Sequence, residues 1–141
     1  MEILIDELVV KRFFDDVWNG RRLDLIPEIF HDPYSITNLL TPRLPPQFYN
    51  HQQLQTHIEK WLHGFPDFHL NVQEVINQDN KFVVRWIAEG THMQNFEGVA
   101  PTGKHVNFSS IGIFTTKEGK LFQHSTLVDI YGLYKKLGVL K

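Results

Sequence analysis

Apolar residues in the first part of the chain recur at steps of three and four: Ile3, Leu4, Leu8, Val9, Phe13, Phe14, Val17 and Trp18. That spacing lays one apolar stripe along a helix over residues 3–18. Asn19-Gly20 closes it, as residues tolerant of positive φ do. A second, short helix is predicted over 23–30, with Pro27 confined to its first turn, where a missing N–H is tolerated. Pro42, Pro45 and Pro46 make residues 41–50 a loop. Residues 52–62 give a third helix with Leu54, Ile58, Trp61 and Leu62 inward.

After Pro66 the pattern changes from helical spacing to alternation. Residues 68–75, 81–92, 105–116 and 121–130 are β-branched, aromatic or alternating, and read as strands. The connections at 77–80, 101–103 and 117–119 are short and rich in Asn, Asp, Gly and Pro, so neighbouring strands run antiparallel. Residues 131–140 read as a closing helical turn. Helices followed by a strand meander indicate an α+β fold, with helices on one face of a curved antiparallel sheet. A sheet curved around helices leaves a hollow at its open end, where a small ligand would sit. The chain carries no internal repeat and no low-complexity stretch.

Length and charge narrow the function classes. A chain of 141 residues fits a single domain over 1–141 and buries enough surface for a sizeable core. Eleven Phe, three Trp and four Tyr suit a dense core or an aromatic-lined pocket. A net charge of −2 without a basic stripe argues against nucleic acid as a partner. No apolar run approaches a membrane span, and Glu2, Asp6 and Glu7 stand where a signal peptide would be basic. With no cysteine there is neither a disulfide nor a thiol nucleophile, and a cytoplasmic protein is expected.

Asp129 is the leading candidate for chemistry. Leu127, Val128 and Ile130 surround it, and desolvation by such neighbours raises a carboxyl pKa toward the range of a proton carrier. The alternative is a structural Asp that caps the turn at Tyr131-Gly132. By strand parity Gln123, Ser125, Leu127 and Asp129 share one face. If Asp129 faces the hollow, Ser125 and Gln123 do too. His92 ends a strand and would either donate to a substrate carbonyl or satisfy backbone there. The eight histidines include no HExxH or His-x-His spacing, so a metal site is not expected. No serine lies in a Gly-x-Ser-x-Gly elbow. Trp18 and Trp61 read as core, whereas Trp86 lies on a candidate pocket strand; Arg85 points to the opposite face.

These residues together resemble the SnoaL-like polyketide cyclase family of the NTF2-like fold, over nearly the full length. The resemblance runs through residues 13–20 (FFDDVWNG), 64–68 (GFPDF), 82–86 (FVVRW), 90–92 (GTH), 101–104 (PTGK), 118–121 (EGKL), Asp129 and 132–138 (GLYKKLG). It implies a cone-shaped α+β barrel, usually a homodimer through the sheets. It implies cofactor-free ring closure by intramolecular aldol chemistry on an aromatic polyketide ester. In that pattern Asp129 falls on the acid/base aspartate, and His92 lies near the pocket mouth as an orienter. Trp86, Ser125, Gln123, Tyr34, Asn38 and Phe108 would contact an apolar or aromatic ligand. The chain departs from its relatives at Thr115, where a basic residue is common, at Ser125, where Trp is common, and at Thr37 or Asn38 in place of an early histidine. The loop at 41–50 is also longer than usual. The same fold hosts non-catalytic binding modules, protein-interaction domains, isomerases, for which Tyr34 or Tyr49 would be the oxyanion donor, and epoxide hydrolases, which would need a water held by polar residues such as Asn38, Asn107 or Gln123.

Overall fold

The computed structural model describes residues 2–140, with side chains from Ile5 onward. The strands are β1 (Phe30–Asn38), β2 (Gln47–Tyr49), β3 (His69–Gln78), β4 (Lys81–Thr91), β5 (His105–Lys117) and β6 (Lys120–Val128). The helices are α1 (Glu2–Arg12), α2 (Ile26–Ile29), α3 (His51–Gly64) and α4 (Ile130–Leu137). The strands form one mixed sheet in the order β2-β1-β6-β5-β4-β3.

The last four strands are the antiparallel meander that the alternation predicts. Glu118 and Gly119, with φ of 54° and 77°, make the two-residue turn between β5 and β6. Positive φ at both turn residues matches the twist of the strands it joins. β1 is an addition to the expected fold. It pairs parallel with β6 and antiparallel with β2, and its register against β6 shifts between Phe30 and Ser35, across Pro33. A proline cannot donate to the ladder, so this segment carries little strand signal. β2 likewise turns the end of the Pro-rich loop into an edge strand. With β2 and β3 as free edges the sheet is curved but not closed, so the expected barrel is an open cone.

The N-terminal helix differs from its expected form. Beyond α1 the chain winds as a π-helix over Phe13–Asn19. Buried residues are Val9, Val10, Phe13, Phe14, Val17 and Trp18, whereas Leu8 is exposed; the side chains of Ile3 and Leu4 lie outside the described residues. The buried positions repeat every four residues. On an ordinary helix each such step drifts by about 40°, and wider π turns reduce that drift, keeping Phe13 and Trp18 on the inner side. Gly20 is needed for space rather than positive φ. Its φ is −82°, and a Cβ there would lie 2.7 Å from the Asp16 carbonyl oxygen. Arg21 takes φ of 60° instead, and its guanidinium donates to the carbonyls of Trp18 and Pro66.

α3 starts at a capping box in which Asn50 Oδ1 accepts from Gln53 N–H and Gln53 Oε1 accepts from Asn50 N–H. Each satisfies an amide that the first turn would otherwise leave unpaired. α3 and the π-helical segment lie over the concave side of the sheet. Phe13 meets Phe114 edge-on at 5.0 Å and Phe14 meets Trp86 at 5.2 Å. Tyr34, Phe30, Phe65, Phe82 and Phe96 are fully enclosed in the same core.

Candidate functional site

The concave side of the sheet is not completely filled. A cavity of about 380 Å³ opens between β1, β4, β5 and β6 on one side and the π-helical segment and α3 on the other. Its walls are aromatic: Phe13, Trp18, Trp61, Phe68, Trp86 and Phe108 all border it. All three tryptophans therefore reach the cavity, not Trp86 alone. Thr41, Leu44 and Pro45 of the Pro-rich loop form part of the rim, with Tyr49 of β2. Across the rim Lys60 Nζ pairs with Glu97 Oε1 at 2.7 Å.

Two histidines face this aromatic space, His57 from α3 and His124 from β6. Burial pushes His57 down to about 4, helped by the charge on Lys60 and opposed by Glu97. Burial pushes His124 down to about 3, and a charge on His57 would oppose one on His124. Both imidazoles are thus neutral at physiological pH. A weakly solvating environment disfavours the cation, which is why each ring releases its proton early. The Tyr49 ring lies 5.3 Å from that of His57. Behind His124, Tyr34 Oη lies 2.6 Å from Nδ1. Tyr34 has no solvent exposure, and burial raises its hydroxyl well above the usual tyrosine value.

The sequence placed Asp129 on the last strand facing the hollow. The strand stops at Val128, and Asp129 is an exposed residue at the start of α4. Its Oδ1 accepts from Gly132 N–H at 2.8 Å, the cap that was the structural alternative. A Cβ at position 132 would fall on that carboxylate, so a larger residue there would force the Asp129 cap to shift. Asp129 borders a second, more open hollow on the opposite side of the sheet, with Arg85, Ser109, Ile111, Leu127 and Tyr131. Strand parity is therefore the reverse of the one inferred from Asp129. His124, Thr126 and Val128 line the cavity, while Gln123 and Ser125 do not.

The remaining expectations divide. Trp86, Asn38 and Phe108 line the cavity; Tyr34 lies behind His124 rather than on the wall. His92 is not at the mouth. It is fully buried, its Nδ1 accepts from Thr102 N–H, and its ring stacks on Phe65 at 5.3 Å. Arg85 is on the outer face and pairs with Glu74. Among the described residues no three His, Asp or Glu side chains converge as metal ligands. Sequence reasoning missed His57 and His124. The signal for His57 was its place on the apolar stripe of α3, three residues after Leu54 and four before Trp61.

The comparisons with known proteins match this architecture. A family model described as SnoaL-like polyketide cyclase matches residues 8–137. The chain belongs to that family. A candidate SnoaL-like polyketide cyclase from Jannaschia sp. CCS1 superposes with a TM-score of 0.85 at 18% identity, covering 98% of this chain and 94% of that one. A candidate polyketide cyclase from Acidithiobacillus ferrooxidans gives 0.83 at 18% identity, with coverage of 95% and 94%. AclR, a candidate hydroxylase from Streptomyces galilaeus, gives 0.81 at 20% identity, with coverage of 96% and 97%. At such identities the superpositions establish a shared fold, and that fold carries more than one assigned chemistry. No curated protein sequence matches the chain. No helix among the described residues is long and apolar enough to cross a membrane.

Proposed function

We propose that this SnoaL-like protein performs cofactor-free proton transfer on a carbonyl compound held in the aromatic cavity, in the manner of a ring-closing aldol reaction. The observation that carries the reading is the pair of neutral imidazoles, His57 and His124, facing a largely apolar, aromatic-rich space. A cavity of this volume and lining suits a flat, largely apolar molecule with few polar groups.

In this account His57 is the proton carrier. The ring is uncharged, it lies on the cavity wall, and it makes no hydrogen bond to protein among the described residues. It takes the proton from a carbon flanked by carbonyl groups, and the C–H electron pair moves onto the carbonyl oxygen as an enolate. The enolate carbon then attacks a second carbonyl, a C–C bond forms, and protonated His57 returns its proton to the new alkoxide. A base near pKa 4 is not too weak for such work: ketosteroid isomerase uses one at about 4.6, with oxyanion donors supplying the rest. The resemblance assigns proton transfer to Asp129 instead. Its exposure and its engagement as a helix cap favour a structural role in this chain.

We also propose that the chain pairs with a second copy through the convex face of the sheet. Ile111, Ile113 and Leu127 remain 39%, 41% and 39% exposed there, and Ile111 pairs with Leu127 across adjacent strands. The proton-transfer reading is tested with 2-tetralone, whose C1 protons are both benzylic and adjacent to a carbonyl. Incubated with the protein in D2O, it should exchange those protons faster than with an equal concentration of free imidazole. Exchange no faster than that control would reject the reading.

A further inference from the structure

The contact between Tyr34 and His124 determines which side of the imidazole carries the proton. Tyr34 Oη lies 2.6 Å from His124 Nδ1 and has no other hydrogen-bond partner among the described residues. The tyrosine has no exposed surface, so water cannot receive its proton. If Nδ1 carried the hydrogen and donated to Oη, the phenolic O–H would be left buried and unsatisfied, which is costly. The network is satisfied when Tyr34 donates and Nδ1 accepts. In a neutral ring the hydrogen then resides on Nε2.

Among the described residues His124 Nε2 has no hydrogen-bond partner, and unlike Trp18 Nε1, His92 Nε2 and Ser110 Oγ it is not sealed from solvent. Nε2 therefore keeps accessible surface, and the ring borders the cavity. We propose that Tyr34 is a positioning residue that locks His124 as an Nε2–H donor into the cavity, so that the site selects a ligand bearing a ketone-type oxygen and turns that oxygen toward β6. This deepens the reading of the cavity as a carbonyl site and rests on it. It divides the two histidines by role: His124 holds the oxygen where negative charge develops, and His57, on the facing helix, meets the acidic C–H. A fixed N–H donor at a developing enolate is the geometry that stabilises such a charge without reorganisation.

The experiment uses the intact protein labelled with ¹⁵N at histidine. Two-bond ¹⁵N–¹H correlation at neutral pH reports the tautomer of His124, assigned with His124→Gln. The expected result is a protonated-type shift at Nε2 and an unprotonated-type shift at Nδ1, with Nε2–H moving downfield on adding 2-tetralone and not on adding tetralin, its oxygen-free analogue. By calorimetry 2-tetralone should bind about five- to tenfold more tightly than tetralin, the worth of one such hydrogen bond. Tyr34→Phe should relax the tautomer to a mixture and remove most of that preference. An Nδ1–H tautomer in the wild-type protein would overturn the proposal, and that spectrum decides the matter even if Tyr34→Phe does not fold. An unchanged tautomer and unchanged selectivity in folded Tyr34→Phe would also overturn it. An Nε2–H tautomer with ketone preference but no catalysed exchange would leave this inference standing and reject the proton-transfer reading. Catalysed exchange with an Nδ1–H tautomer would do the reverse.

Discussion

Tyr34 Oη sits 2.6 Å from Nδ1 of His124, joining β1 to β6, two parallel strands, through an enclosed tyrosine and a half-buried histidine. The contact brings an enclosed hydroxyl and a neutral imidazole to the back wall of an aromatic cavity. The same burial that keeps the imidazole neutral has a cost in acid. The folded-state values of His57 and His124, about 4 and about 3, lie below the ordinary histidine value of 6.5. The unfolded chain therefore takes up these protons first. Stability from this source is complete above about pH 6.5 and falls as pH drops toward 4 for His57 and 3 for His124, by at most about 1.4 kcal/mol per pH unit for each ring. Urea melts from pH 7 to pH 4.5 should show a falling midpoint, and the slope should flatten in His57→Gln/His124→Gln. An equally steep decline in that double variant would mean other groups cause it.

Asp129 is expected to behave as a helix cap. Asn caps about as well as Asp, whereas Ala removes the acceptor of the Gly132 amide. Asp129→Asn should therefore stay within a few tenths of a kcal/mol of wild type, and Asp129→Ala should lose about 1 kcal/mol, measured by chemical denaturation. Equal stability of Asp129→Ala and wild type would remove the capping role.

How far the sequence revealed this molecule depends on the element. The meander from β3 to β6 was legible because its alternation and its Asn, Asp and Gly turns agree. β1 was not, because Pro33 interrupts the strand pattern and its pairing with β6 joins segments about 90 residues apart. Trp86, Asn38 and Phe108 border the cavity. The inner face of β6 was misassigned because both faces carry apolar residues, and the choice was made from Asp129. Only the end of the strand at Val128 and the cap on Gly132 show that Asp129 belongs to α4. The place of His57 on the apolar stripe of α3 was legible, but not that this stripe borders a cavity closed by β2 and Tyr49 rather than a filled core.

The convex face should be an interface between copies of the chain. Light scattering after size exclusion should give twice the chain mass. Ile111→Lys/Ile113→Lys, which places charges where an apolar face would be buried, should give the single-chain mass with unchanged far-UV circular dichroism. A wild-type protein that is monomeric at high micromolar concentration would contradict the assignment.

The cavity reading and the aspartate reading separate most directly in one measurement: deuterium incorporation into 2-tetralone by wild type, His57→Gln and Asp129→Asn, each first checked for folding. The account predicts that His57→Gln falls by two orders of magnitude or more, in the range usual for a lost general base, while Asp129→Asn stays within about twofold of wild type. Loss of exchange in Asp129→Asn with His57→Gln unaffected would contradict it and return the proton carrier to the end of β6.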